Sequence, residues 1–336
     1  MTMKNYWQGR EVLVTGSDGF IGSHLCERLC GLGAKVRAFV LYNSRSNIGW
    51  LEELTRKEGL KDRCDIVFGD IRDSERIVEV TEGMRTVFHL ASLIAIPYSY
   101  LAPRSYVETN VVGALNILNA CKVCQVDRLV HTSTSEVYGS ALYVPIDERH
   151  PLQGQSPYSA SKIGADMLAT SFHASYGLPV SIARPFNTYG PRQSERAVIP
   201  TILSQLYSGA KEIKLGSTTP TRDFNYVLDT VDGMIAVGES NQAIGQILNI
   251  GSGMEIQIGQ LARKLMEITG IQAGIVEENS RVRPRSSEVD RLLADAQNLR
   301  DLTGWESKVD LAEGLTLTAN WVRANSDLLN PEQYVR

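Results

Sequence analysis

Basic residues do not outnumber acidic ones in this 336-residue chain: Lys and Arg total 34 against 38 Asp and Glu, a formal charge of −4. No run of basic residues interleaved with aromatics occurs, so a nucleic-acid partner is not expected, and any anionic ligand must be held by local groups. Apolar runs are short. None approaches the roughly 18 residues of a membrane span, and Met1–Arg10 is polar, without the apolar core of a signal peptide. A cytoplasmic protein with no membrane partner is the expectation. Five cysteines are an odd number in a chain too large to need stapling. Cys121 and Cys124 form a lone C-x-x-C inside an apparent helix, which reads as core packing, not as metal or redox work. His24, His89, His131, His150 and His173 stand at no metal-ligand spacing, so no metal is expected and no catalytic role is assigned to them.

With 43% hydrophobic and 21% charged residues, the chain can bury a full core. Its first half alternates short apolar runs with longer amphipathic ones. Strands are expected at Glu11–Thr15, Lys35–Leu41, Cys64–Phe68, Thr86–Ala91, Arg128–Ser133 and Pro179–Ala183. Helices are expected at Phe20–Leu32, Asn47–Lys57, Ser74–Thr81, Ser105–Cys124 and Pro157–Tyr176. Near-continuous Val/Ile/Leu strands in regular β-α alternation predict an α/β fold, a doubly wound parallel sheet of Rossmann type covered on both faces. After Arg184 the pattern loosens and Pro, Gly and Arg become frequent, predicting a smaller mixed α/β region for substrate. The expected division is a dinucleotide-binding domain over 1–184 with a return segment near 225–251, including a strand at Gln246–Ile250. The substrate region then takes 185–224 and 252–336.

In such sheets ligands bind beyond the carboxyl ends of the strands, and each chemical motif falls at one. Gly16, Gly19 and Gly22 form G-x-x-G-x-x-G directly after the first strand, with Phe20 and Ile21 opening the helix. A tight turn of this kind lets backbone N–H groups and the helix N-terminus approach a pyrophosphate. The second strand ends Leu41-Tyr42-Asn43-Ser44-Arg45, without the acidic residue that takes the ribose hydroxyls of NAD. Nothing there repels a 2′-phosphate and Arg45 can pair with one, which leans slightly to NADP over NAD; the competing reading is a solvated Arg45. Asp70 and Ile71 follow the third strand, where an adenine would lie, and Leu90, Ala91 and Ser92 close the fourth.

Tyr158 and Lys162 form Y-x-x-x-K within an expected helix, both on one face. A free tyrosine has a pKa of roughly 10, but an adjacent ammonium and a cationic nicotinamide favour the phenolate, which can then deprotonate a substrate hydroxyl. The fifth strand runs out into Thr134-Ser135-Glu136, whose hydroxyls can hold the reacting oxygen and whose carboxylate enters the same mouth.

The glycine turn, the tyrosine–lysine pair and this hydroxyl-rich strand end together resemble the extended short-chain dehydrogenase/reductases, the nucleotide-sugar epimerases, dehydratases and decarboxylases. The resemblance continues through Asn110 in TNVVGALN, Arg184–Pro191 (RPFNTYGP), Thr221–Phe224 (TRDF) and the stretch from Arg283 to Leu292. It implies that Thr134 donates to the sugar 4-oxygen, with Tyr158 as base and Lys162 as its partner. It also implies that NAD or NADP is bound tightly and regenerated each cycle, with Asn110 on the cofactor side. Asn187, Arg222, Arg283 and Glu288 become candidates for the nucleotide sugar; the competing reading of Arg222 is an ion pair with Asp223. A homodimer formed by Ser105–Cys124 and Pro157–Tyr176 is a further implication.

These enzymes all begin by oxidising C4, which acidifies the C5 proton. A 4-epimerase needs no base at C5, whereas Glu136 supplies one. A 4,6-dehydratase uses it and expels the C6 hydroxyl, and a UDP-glucuronate decarboxylase carries the same Thr-Ser-Glu string. Ser135 replaces the Asp of dTDP-glucose dehydratases, which puts that substrate in doubt and leaves the acid for the leaving hydroxyl unassigned. The stretches around Leu93–Tyr100, Pro157–Asp166 and Pro185–Ser194 look like the retaining N-acetylglucosamine-nucleotide 4,6-dehydratases of legionaminic-acid type, with UDP or GDP open. Decarboxylase, 4-epimerase and non-enzymatic dinucleotide sensor are the alternatives.

Overall fold

The computed structural model describes residues 6–59 and 61–328; the start of the polar N-terminal segment and the end of the C-terminal region lie outside them. A seven-stranded parallel sheet organises the chain, in the order β10-β6-β5-β4-β1-β2-β3. These strands are β1 (Glu11–Thr15), β2 (Lys35–Leu41), β3 (Cys64–Gly69), β4 (Thr86–His89), β5 (Arg128–Thr132), β6 (Val180–Pro185) and β10 (Ile247–Ile250). Alternation along each strand feeds two cores. Val12, Val14, Phe88 and Val130 face one layer, while Leu13, Val87 and Leu129 face the other. Each such buried side chain is worth about 1.5–3 kcal/mol relative to exposure, which accounts for strands apolar on both faces.

Helices α1 (Phe20–Gly31), α2 (Leu51–Thr55), α3 (Ser74–Thr81), α4 (Ile96–Leu101), α5 (Pro103–Tyr106), α6 (Gly113–Val123) and α7 (Pro157–Tyr176) lie in the first half. Two expected helices come out differently. Asn47–Lys57 shrinks to α2. The Asn43 side chain accepts from the backbone N–H of Arg45 and Asn47 and donates to the carbonyls of Leu41 and Asn47, holding the preceding residues as a loop. Ser105–Cys124 is a longer run, Pro103–Val123, interrupted by a π-helical segment at Val107–Val112 that carries Asn110. The extra residue in such a turn re-aims side chains, and π segments collect at functional sites.

The rest of the chain builds the region beside the strand ends. A three-stranded sheet is ordered β11 (Glu255–Gln257), β9 (Thr221–Tyr226), β7 (Asn187–Tyr189), and β8 (Glu212–Leu215) pairs with β12 (Gly274–Glu277). Helices α8 (Val198–Tyr207), α10 (Ile258–Thr269) and α12 (Leu311–Ala324) pack with these, while α9 (Val227–Glu239) leads the chain back to β10, against which α11 (Gln297–Thr303) packs. Among the described residues no helix is long and apolar enough to cross a membrane. Cys121 is buried in the core as expected for packing, and Cys124 is half-buried beside the carbonyl of Val78.

Candidate active site

β1 and β4 are neighbours, so the strand order turns back between them, and a cleft of about 1110 Å³ opens at their carboxyl ends. Single small-molecule pockets span roughly 300–1,000 Å³, so this one is at the large end, as a site for a dinucleotide would be. One wall is the glycine turn. Gly16 adopts φ +68°, and a Cβ on Gly22 would stand 2.1 Å from the Gly16 carbonyl oxygen, so a side chain there would push the turn apart. A Cβ on Gly19 would meet only that oxygen, at 3.4 Å; its open side is the cleft. No side chain caps α1. Its first N–H groups and positive dipole end are therefore offered to an anion, which fits a dinucleotide pyrophosphate.

Phe20, Ile21, Asp70, Ile71, Leu90, Ala91 and Ser92 line the same cleft. Asp70 is not free there. Arg72 grips its carboxylate at 2.6 Å and holds it below the usual carboxylate range. Asn43, Arg45 and Asn110 do not reach the cleft wall. Arg45 is exposed. Asn110 is buried behind the wall, accepting from Leu93 N–H at 2.8 Å and donating to the Leu93 carbonyl at 3.0 Å and to Ser161 at 2.9 Å. It fixes the loop after β4 and joins it to α7.

The catalytic side is built from two neighbouring elements. α7 starts sharply: Ser156 caps it in a reciprocal pair with Ser159, and Pro157 occupies its first turn. That start places Tyr158 and Lys162 one turn apart on the cleft wall, both nearly fully buried. Opposite them, Thr134 caps the short turn Ser135–Tyr138 by accepting from the Glu136 N–H at 3.2 Å, so Thr134, Ser135 and Glu136 enter the cleft together. Burial pushes the Tyr158 phenol above its ordinary value, against a hydrogen bond with Thr134 that favours the phenolate. Burial also brings the Lys162 ammonium down to about 8, with Asp166 pulling the other way. Lys162 donates to the Thr132 carbonyl at 2.6 Å.

Asn187 and Arg283 line the cleft; Arg222 and Glu288 stand behind Arg283. Charges alternate along this edge. Arg283 lies 3.7 Å from Glu136 and 4.0 Å from Glu288, and Glu288 pairs with Arg222 at 3.3 Å. The expected competitor, an Arg222–Asp223 pair, is absent. Adjacent strand residues face opposite sides, and Asp223 instead accepts from Ser252, Gly253 and Ala294.

Sequence reasoning missed the support beneath the pair. Asp166, one turn beyond Lys162, is fully buried and takes Arg184 at 2.8 Å, Ser133 at 2.7 Å and His131 at 3.4 Å. Burial disfavours its charge, but these partners outweigh that and hold it below the ordinary aspartate range. The signal was present in the i, i+4, i+8 spacing of Tyr158, Lys162 and Asp166.

A model of the GDP-mannose 4,6 dehydratase family matches residues 13–318. The chain belongs to this family. It is an extended short-chain dehydrogenase/reductase of the NAD-dependent nucleotide-sugar epimerase and dehydratase type. A dTDP-glucose 4,6-dehydratase of Streptomyces griseus is 34% identical over 321 residues, spanning 95% of this chain and 96% of the relative. A putative UDP-glucose 4-epimerase of Methanocaldococcus jannaschii is 30% identical over 323 residues, spanning 94% and 99%. Among solved structures, a dTDP-glucose 4,6-dehydratase of Streptomyces venezuelae with NAD bound superposes with a TM-score of 0.85 at 31% identity, covering 96% of this chain and 99% of that one. A UDP-N-acetylglucosamine 4-epimerase of Methanobrevibacter ruminantium superposes at 0.83 with 30% identity, covering 94% and 99%. Family membership thus leaves dehydration and epimerisation side by side.

Proposed function

We propose that the protein is a nucleotide-sugar 4,6-dehydratase (a hydro-lyase) converting UDP- or GDP-N-acetylglucosamine to the 4-keto-6-deoxy sugar. The observation that carries this reading is the entry of Glu136 into the cleft beside Thr134 and Tyr158. An epimerase needs no base at C5; a dehydratase does. The preference for N-acetylglucosamine rests on the resemblance of the stretches around Leu93–Tyr100, Pro157–Asp166 and Pro185–Ser194.

For the cofactor the reading is NAD, held tightly and restored each cycle. The slight lean to NADP rested on the missing acid after β2 and on Arg45; Arg45 is exposed and off the cleft wall, and NAD-bound structural neighbours support NAD. Gly16, Gly19, Phe20, Ile21 and Gly22 would hold its pyrophosphate, Ile71 its adenine, and Tyr158 and Lys162 its nicotinamide end. When bound, the nicotinamide supplies a hydride acceptor and donor and a positive charge near Tyr158. Tyr158 takes the proton from the C4 hydroxyl while Thr134 donates to the same oxygen. Lys162, while protonated, favours the phenolate by charge. Glu136 takes the C5 proton and passes it to the C6 hydroxyl, which departs as water; C6 then takes back the hydride removed from C4, and C5 takes a proton from solvent. Arg283 and Asn187 hold the nucleotide phosphates, with Glu288 and Arg222 orienting Arg283; planar guanidinium forks suit phosphate oxygens.

Self-association through the Pro103–Val123 run and α7 belongs to the same reading. It is supported by the apolar residues Val107, Val112, Val123, Met167 and Tyr176, all exposed on those two elements. A 4-epimerase is the second reading, supported by the similarity to a putative UDP-glucose 4-epimerase and to a solved UDP-N-acetylglucosamine 4-epimerase. A mass-resolved assay against UDP-N-acetylglucosamine, GDP-N-acetylglucosamine and UDP-glucuronate, without added reductant, separates them. Loss of water from an N-acetylglucosamine nucleotide supports the dehydratase, and loss of carbon dioxide from the glucuronate replaces it with a decarboxylase. An isomer of unchanged mass replaces it with an epimerase, and no turnover of any nucleotide sugar leaves a dinucleotide-binding sensor.

A further inference from the structure

The chain has four tryptophans, and they divide into two kinds. Trp7 and Trp305 are buried and spend their indole N–H groups inside the protein, on the Glu239 carboxylate and, at 3.0 Å, on the Asp229 carbonyl. Trp50 and Trp321 are half-buried and stand on the cleft wall with Gly19 and Phe20. Among the described residues neither of their indole N–H groups has a protein acceptor. Their rings meet edge to face, with centroids 5.3 Å apart and planes at 71°.

This contact joins the first β-α unit to the last long helix. Trp50 ends the loop after β2, and Trp321 belongs to α12. The loop is pinned to the glycine turn. Trp50 N–H donates to the Asp18 carbonyl at 3.1 Å, and Gly49, at φ +55°, comes so close to the same carbonyl that a Cβ would stand 2.5 Å from it. Arg192, buried and at φ +69°, ties the chain beyond β7 to the same rim. Its guanidinium reaches Glu53 at 2.6 Å, Glu27 at 2.9 Å and Ser23 at 3.3 Å. A pair that served core packing alone would have no need to face the cleft.

We infer that Trp50 and Trp321 form an aromatic clasp that retains the dinucleotide, closing over its diphosphate end and offering indole N–H donors to phosphate or ribose oxygens. The inference rests on the reading of the glycine turn as the dinucleotide site. Excluding water there strengthens the attraction between the diphosphate and the N-terminus of α1. Retention also suits the proposed reaction, in which hydride returns to the product and the cofactor has no need to leave.

The test loads purified protein with NAD labelled in the adenine ring, chases with excess unlabelled NAD and follows loss of label. Trp50→Ala and Trp321→Ala should each release label about tenfold faster or more. Trp321→Phe, which keeps a ring but lacks the donor, should fall between them and the wild type. Thermal melts of the same variants identify any that misfold, and the Phe variant keeps the test open if an Ala variant does. If the wild type holds labelled NAD and all folded variants release it at the wild-type rate, the clasp is refuted while the cofactor reading stands. A wild type that retains no NAD refutes both.

Discussion

The guanidinium of Arg283 lies 3.7 Å from the carboxylate of Glu136, and that ion pair joins the expected C5 base to the arginine expected to hold nucleotide phosphates. Glu288 and Arg222 extend the chain behind it. Arg283 thus has two anions to serve, a carboxylate in the cleft and a phosphate when substrate arrives.

Arg283→Ala should weaken binding of the free nucleoside diphosphate by roughly 10- to 100-fold, the worth of a charge-assisted hydrogen bond of about 1.5–3 kcal/mol. Calorimetric titration measures it directly. Unchanged affinity would remove Arg283 from the nucleotide site.

Tyr158→Phe should lower kcat by about 10²- to 10⁴-fold, the usual contribution of a positioned acid–base group. Thr134→Val should give a smaller loss, because it removes a hydrogen bond to the phenol and leaves the base in place. Single-turnover formation of reduced cofactor measures both. Near-normal rates in Tyr158→Phe would refute the mechanism.

The pH profile follows from Lys162, whose ammonium is brought down to about 8. Below that value it carries the charge that favours the Tyr158 phenolate. Above it the charge is lost and the phenol, already raised by burial, becomes still harder to ionise. Activity should therefore fall as pH rises through about 8, and in Lys162→Arg, whose charge persists, the residual activity should lack that fall. An alkaline limb unmoved in the arginine variant would assign it to another group.

Asp166→Asn should destabilise the fold by about 3–5 kcal/mol, since it leaves Arg184 buried without its counter-charge. Urea unfolding measures this. A loss below about 1 kcal/mol would show that Tyr138, which accepts from Arg184 at 3.0 Å, suffices as its partner.

Local pattern and chemistry were legible in the sequence to different depths. β1 and β2, α3 and α7 fall on their expected bounds because each is decided by residues within it or just beside it: apolar runs for the strands, the Asp73 cap for α3, and the Ser156 cap and a left-handed Gly177 for α7. The segment Asn47–Lys57 misled because its composition permits a helix, while the Asn43 side chain captures the backbone upstream. Arg184 was visible in RPFNTYGP, but its partner Asp166 depends on β5 and β6 lying side by side with α7 across them. Trp321 was invisible for a stronger reason: only the completed fold brings α12 to the rim of the glycine turn.

The most direct test of the central claim, dehydration with Glu136 as the C5 base, runs the reaction on UDP- or GDP-N-acetylglucosamine in heavy water. The products of the wild type and Glu136→Gln are then compared by mass spectrometry and proton NMR at C5. The account predicts a wild-type product lighter by one water and deuterated at C5, with Glu136→Gln forming neither product nor C5 label while still holding its cofactor. A dehydrated product from Glu136→Gln at near wild-type rate, or a wild-type product that keeps its C6 hydroxyl, would contradict it.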